Sequence, residues 1–261
     1  MVTDIKKLCR NKMVLIALSI LFFCAIYDPI FMSRTTYKYY QNPFVWWMFM
    51  KTGGSTVYNT LFWIFPILLT GLIYFDERNN ALYGVLITKV NRITYFSSKV
   101  ISVFCVAFIC TTCLFLLNLA LVYGFCPEKA MLDEYLIPQD GSFAFLLFQK
   151  SPFLMAFAYN MLHSLTIALL ATFYLIIHMV FLFKNKYIAV LVPVLLMSVI
   201  DFAVQTTGHM EYSLTILIQP MASMASTEIL GIEQLIHVYA CLVIFILVGF
   251  IVGIRRNRDV L

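Results

Sequence analysis

"DERNNALYGVLITKVNRITYFSSK", residues 76–99, is a polar interruption in a chain that is otherwise mostly apolar. It carries Asp76, Glu77, Arg78, Lys89, Arg92 and Lys99, whereas residues 57–75 before it and 100–125 after it contain no charged side chain. Each of those flanking runs is long enough to cross a hydrocarbon core, which takes about 20 residues. The stretch therefore reads as the link between two membrane spans. Across all 261 residues 62% are hydrophobic and 12% charged, where soluble domains carry roughly a quarter. Mean hydropathy is +0.90, and the reading is an all-α integral membrane protein.

Working outward, six runs have the length and apolarity of spans: about 13–31, 57–75, 100–125, 153–183, 187–204 and 235–254, within one transmembrane domain covering 1–261. The fourth exceeds an ordinary bilayer, so its first turns are expected to form an outside helix or a strongly tilted approach. The first follows a basic start as a secretory signal would, but it ends in "YDPIF" without a small-residue cleavage site and is expected to be retained. With both termini placed in the cytoplasm, thirteen of the eighteen Lys and Arg fall on that side, as the positive-inside rule requires. An inner basic rim facing anionic lipid accounts for the net charge of +5, and nothing points to nucleic acid.

Signatures of catalysis are missing: there is no phosphate-binding G-x-x-x-x-G-K-[ST], no H-E-x-x-H and no G-x-S-x-G. No catalytic residue, metal site or cofactor is assigned to this chain. His163 and His178 share a face of one helix but stand about 22 Å apart along it, too far for one ion. Cys110 and Cys113 fall mid-span, where cysteine packs as a small hydrophobe. Cys126, at the outer mouth, is placed to link two copies.

Acidic and polar residues inside spans are costly enough to be weighed singly. Asp28 and Asp201 lie near the outer ends of their spans and either reach headgroup water or, for Asp201 with Ser198 and Pro193, line a cavity open to the outside. Asn59, Trp63, Pro66 and Thr70 form a polar or kinking stripe on the second span, readable equally as helix packing. "YYQNPFVWWMF", residues 39–49, is expected to form an interfacial aromatic belt. The outer excursion 205–234, with "LTILIQPMASMASTEI" at 214–229, is expected to be re-entrant before the sixth span, or else an external loop with a surface helix.

In the opening stretch a helical phase puts Leu82, Val85, Leu86, Val90 and Ile93 on one side and Gly84, Thr88, Asn91 and Tyr95 opposite. That predicts an amphipathic helix along the inner membrane surface, and many such helices only anchor. The pattern Asp76 and Glu77, Gly84, Val85–Ile87, Arg92 and Lys99 resembles the segment after the second span of ABC type-2 (ABC-2) exporter permeases. One departure is "RNN" at 78–80, where many relatives carry a further Glu or Lys and a Gly-Thr pair.

The resemblance implies a transmembrane permease subunit with no catalysis of its own. Two six-helix subunits, identical copies or paralogues, would meet in a bacterial cytoplasmic membrane. Each coupling helix, with Asp76, Glu77, Arg78, Leu82, Gly84, Val85, Leu86, Arg92 and Lys99, would sit in a cleft of one of two separate cytoplasmic P-loop ATPase subunits that hold ATP and Mg. A pathway between the second and fifth spans would place Asn59, Trp63, Pro66, Thr70, Pro193, Ser198 and Asp201 along it. The aromatic, weakly acidic outer loops lean toward an amphipathic cationic peptide or drug-like substrate. The contrasting readings are an ATP-independent secondary transporter or channel, which wants paired acids deep in the spans, and a membrane-embedded enzyme, which wants convergent His, Asp or Glu.

Overall fold

A computed structural model describes residues 2–34, 42–49, 56–79, 91–126, 138–219 and 231–257, and these are helical with no strand. In chain order the helices are α1 Val2–Cys9, α2 Lys12–Arg34, α3 Pro43–Phe49, α4 Thr56–Leu61, α5 Ile64–Leu69, α6 Ile73–Asn79, α7 Arg92–Phe125, α8 Phe143–Phe148, α9 Pro152–Phe181, α10 Lys186–Thr206, α11 Leu214–Leu217 and α12 Ile232–Arg256. Four of them, α7, α9, α10 and α12, are long and apolar enough to cross a membrane, and α1 with α2, bent by 59° at their junction, makes a fifth candidate. The chain is a multi-pass membrane protein.

Helix α9 is the axis. It is buried on nearly every face from His163 to Met179, and it packs against α7, α12 and α5. It is one unbroken helix from Pro152 to Phe181. Proline at its first position costs no hydrogen bond there, and Leu182 ends it in the left-handed conformation at φ 48°. Helices α10 and α12 are peripheral. Helix α12 buries only Tyr239, Leu242, Ile246 and Gly253, a single stripe, and turns Ile244, Phe245, Leu247, Val248 and Ile251 outward. Between helices in lipid, close packing replaces the hydrophobic effect as the source of attraction. Gly249 and Gly253 supply it: a methyl group at 249 would run into Cγ2 of Ile176, and one at 253 would lie 3.1 Å from Cβ of Met179.

The expected second span is not one helix but three. Proline 66 has no N–H and its ring opposes the carbonyl of residue 62. The chain accordingly turns at Phe62 and Trp63 and restarts as α5, which puts Pro66 in a first turn. A second break at Thr70–Leu72 uses left-handed Gly71 (φ 58°) and Leu72 (φ 48°). The pieces still descend the bundle: Tyr58 bonds to His163, while Tyr74 bonds to Asn257, which bonds to Met179. His163 and Met179 are about 24 Å apart along α9.

Residues 76–99 likewise do not form a single helix. Helix α6 ends at Asn79, and Asn91 starts α7 afresh by accepting a hydrogen bond from the Ile93 amide at 3.1 Å. Thus 92–99 are the first turns of the third span. Leu82, Gly84, Val85 and Leu86 lie outside the described residues, as do 220–230 of the expected re-entrant segment. The aromatic segment departs from expectation too. Phe44, Val45, Trp46, Trp47 and Met48 are buried against α7, α8 and α9, with Trp47 donating to Asn160 Oδ1 at 3.3 Å, so they form a protein core and not a lipid-facing belt. Cys126 is buried in the same cluster and is not presented for linking two copies; burial pushes its thiol up to about 11.

Candidate functional site

The two flanks of the polar interruption meet in one buried ionic cluster. Lys99, on the second turn of α7, is 1% exposed, and its Nζ donates to Oδ1 of Asp4 and, at 2.8 Å, to Oε1 of Glu77. Lys7 donates to the same Glu77 oxygen at 2.8 Å and the Tyr95 hydroxyl to its Oε2 at 2.6 Å. Ser98 donates to Oδ2 of Asp4 at 2.9 Å. Two carboxylates therefore face two ammonium groups, and α1, α6 and α7 are joined with no net charge. A buried charge survives only when paired and hydrogen-bonded in this way.

Burial pushes both carboxyls up, but their partners outweigh it. Hydrogen bonds from Lys7, Lys99 and Tyr95 hold Glu77 below its ordinary 4.5, and Lys99 with Ser98 holds Asp4 below 3.8. Lys99 thus belongs to the interior and not to the basic rim. Asp76 behaves differently, standing half-exposed 3.8 Å from Lys186, and Arg78 and Arg92 are half-buried on either side of the gap.

A second device sits one turn away. Asn11, in the bend between α1 and α2, accepts from the Met13 amide at 2.9 Å and donates through Nδ2 to the Gly71 carbonyl at 2.8 Å. One side chain so caps α2 and satisfies the backbone opened by the break in the second span. Thr70 helps, donating to the Ile67 carbonyl at 2.7 Å and accepting from the Leu72 amide at 3.1 Å.

The residues expected along a pathway between two subunits fall at different places within this one chain. Pro66 and Thr70 are buried in the break region, while Asn59 and Trp63 are half-buried higher up. Ser198 satisfies itself on the Leu195 carbonyl at 3.1 Å. Asp201 is an anchor: Oδ1 accepts from the Leu214 amide at 2.7 Å and Ser213 Oγ at 3.1 Å, while Oδ2 accepts from Gln205 at 2.9 Å and from Thr215. It pins the segment leading into α11 to the end of α10, and it also borders a cleft.

Pro193 has a role that sequence alone did not give. It lies inside α10 and cannot donate to the carbonyl of Ala189, four residues earlier. His178 Nε2, from α9, reaches that carbonyl at 2.7 Å. Pro29 inside α2 leaves the Ala25 carbonyl in the same position, and Asn118 Nδ2 from α7 takes it at 3.2 Å. His163 meanwhile pairs with the Tyr58 hydroxyl at 3.0 Å through Nδ1. Among the described residues no three His, Cys, Asp or Glu are placed to hold a metal ion.

Sequence reasoning singled out Glu77 and Lys99 and set Tyr95 on the polar face of the same segment, but did not connect Asp4, Lys7, Asn11 or Asn257 to them. Nothing in the sequence around Asp4 marks it as a partner of Lys99, and its burial appears only in the structure. No protein-family model, curated protein or solved structure matches the chain.

Proposed function

We propose that the chain is the transmembrane permease subunit of an ATP-binding-cassette exporter of the type-2 class. Both termini lie in the cytoplasm of a bacterial cell, two cytoplasmic ATPase subunits dock at Leu82–Arg92 within the 76–99 stretch, and a second copy or paralogue completes the pathway. One observation carries the reading beyond the sequence resemblance. The helix that enters the interruption (α6) and the helix that leaves it (α7) are clasped together, and to α1, through Glu77, Lys99 and Asp4. A displacement applied to a segment so clamped passes into packed helices, where a loosely held loop would absorb it. The basic residues at the ends of α1, α6, α7, α10 and α12 come to one end of the bundle, shown by the Lys7–Glu77, Lys186–Asp76 and Tyr74–Asn257 contacts, and this supports the orientation from the charge count. The substrate we favour is amphipathic, a cationic peptide or drug-like molecule moved outward.

An ATP-independent transporter would use a titratable acid within the spans. Asp201 is occupied by its donors as a structural anchor, which supports the exporter over that alternative.

The test is purification from native membranes in mild detergent, with identification of what accompanies the chain, repeated with Leu82→Glu and Leu86→Glu. A P-loop ATPase that travels with the parent and is lost from a monodisperse variant is the expected result. Absence of any ATPase, under conditions that retain other membrane complexes, would sink the proposal.

A further inference from the structure

A cleft of about 480 Å³ lies between α9, α10, α11 and α12, within the range of small-ligand pockets. Its polarity is graded along the helices. Asp201, Tyr212 and His237 stand at one end; Phe173, Leu196 and Phe245 stand at the other. The register of the walls fixes that direction. Thr166 bonds to Tyr239 near the first end, and Gly249 meets Ile176 beyond the second, so α12 runs in step beside α9, while the His178–Ala189 contact sets α10 alongside. From His237 to Phe245, and from Val204 back to Leu196, is about 12 Å. The depth of one leaflet's hydrocarbon is about 15 Å, half of the core.

We propose that this cleft holds one acyl chain of a membrane phospholipid, its headgroup at the Tyr212 and His237 end. The inference rests on the membrane placement of α10 and α12 and not on the exporter reading. Ile200 and Phe245 at its edges are 47% and 64% exposed, so the medium at the opening is lipid. Apolar walls gain nothing by leaving lipid for protein. A recess left empty, however, forfeits the dispersion contacts of its lining, and a thin, flexible chain is what the surroundings offer to fill it. The apolar lining, with the polar side chains of Tyr212 and His237 gathered at one mouth, matches a lipid tail below its headgroup. Asp201 holds the shape without contacting the headgroup, since its oxygens already accept from Leu214, Ser213, Thr215 and Gln205. Tyr212 and His237, both exposed, are the groups left to meet a phosphate or ester oxygen.

The experiment uses the full chain in nanodiscs of phosphatidylcholine containing a trace of phosphatidylcholine with a mid-chain diazirine. After irradiation, adducts are mapped by peptide mass spectrometry. Label on the peptides holding Leu196–Val204 and His237–Phe245 should exceed, severalfold, that on the lipid-facing surface of α2 around Ile16 and Phe23, which lie outside the clefts. Cys241→Trp and Ile200→Trp, both at exposed positions lining the cleft, should each bring it down to that surface level while leaving the α2 label unchanged. Two variants are made so that a failure of one to fold leaves the other to decide. Equal labelling of the two surfaces, or labelling that neither tryptophan lowers, would overturn the proposal. A dimer abolished by either tryptophan would overturn it as well, assigning the cleft to a second copy.

Discussion

Replacing Lys99 by Met tests whether the ionic cluster is a buried clamp or a set of surface charges that happen to touch. The side chains of Lys99, Glu77 and Asp4 are 2%, 6% and 10% exposed, so removing the shared cation leaves two carboxylates short of a partner in a low-dielectric setting. Breaking a buried pair from one side costs about 3–5 kcal/mol. In a chain of this size each kcal/mol moves the midpoint by about 2–4 °C, so Lys99→Met should lower it by roughly 10 °C. Lys7 supplies the internal control: it is half-exposed, so Lys7→Met should cost no more than about 1 kcal/mol despite an equally short contact to Glu77. The informative variant is the double one. Lys99→Met with Asp4→Leu removes the stranded carboxylate along with its partner and leaves Glu77 with Lys7 and Tyr95. It should be more stable than Lys99→Met alone. Thermal unfolding of the purified chain in mild detergent, followed by size-exclusion chromatography, gives the five midpoints: parent, Lys99→Met, Lys7→Met, Asp4→Leu and the double variant. A Lys99→Met midpoint equal to that of Lys7→Met, or a double variant as low as the sum of its parts, would refute the reasoning.

The remaining predictions probe the same joints. Glu77 and Asp4 have lowered pKa values in the folded chain, so their contribution is fully present above about 4.5 and is lost as pH falls through those lowered values; midpoints should be flat from pH 8 to 5 and drop below about 4. A drop near neutral pH would instead point to histidine. Asn11→Asp keeps the cap on Met13 but cannot donate to the Gly71 carbonyl, so it should cost about 1–3 kcal/mol, with amide exchange at 70–73 accelerating; an unchanged exchange pattern would deny the pin its role. His178→Ala should cost a similar amount by orphaning the Ala189 carbonyl, and Pro193→Ala, which restores the helix's own donor, should recover most of it; equal costs in the two backgrounds would count against the compensation. Gly249→Ala should destabilise by about 1–3 kcal/mol through overpacking against Ile176, and Ile176→Ala in the same chain should relieve the clash, both read as midpoints.

Much of the fold was legible because hydropathy alone marks long apolar helices. Helices α7, α10 and α12 begin and end near the expected spans and differ mainly by the polar turns that hydropathy discards, such as 92–99. The breaks in the second span were half legible: Pro66 signalled a kink, but Gly71 sits in an uncharged run and only its positive φ reveals why a glycine is there. The aromatic segment 44–48 misled because composition cannot distinguish a ring facing lipid from one packed on α7 and α9. Among the candidate site residues, Glu77 and Lys99 were found by their place in a motif. Their partner Asp4 was not, since it is 95 residues from Lys99 and nothing local announces it. The G-x-x-x-G at 249–253 went unread, and only the contacts of Gly249 with Ile176 and Gly253 with Met179 show that it marks the α9–α12 contact.

A common physical demand underlies the parts that sequence could not show. Inside a bilayer, a backbone carbonyl released by a helix break has no water to turn to, so each break is tolerated only where a neighbour donates. The chain meets that demand repeatedly: Asn118 takes the carbonyl freed by Pro29, His178 the one freed by Pro193, Asn11 the one at Gly71, and Asn257 the one at Met179 near the end of α9. Every donor comes from another element, so each break is also a cross-link. Two consequences oppose one another. The breaks at 62–63 and 70–72 give the second span two points at which its helix is interrupted. Asn11 and the Lys99 cluster tie its lower piece, α6, to the first and third spans. Motion of segment 80–90 by a partner would therefore move α1, α6 and the start of α7 as a unit, with bending confined to the backbone around Gly71. That makes the Asn11 amide the bond to watch: an exporter in which Asn11→Asp keeps ATPase binding but uncouples hydrolysis from transport would place the hinge there, and one that stays coupled would move it up to Trp63.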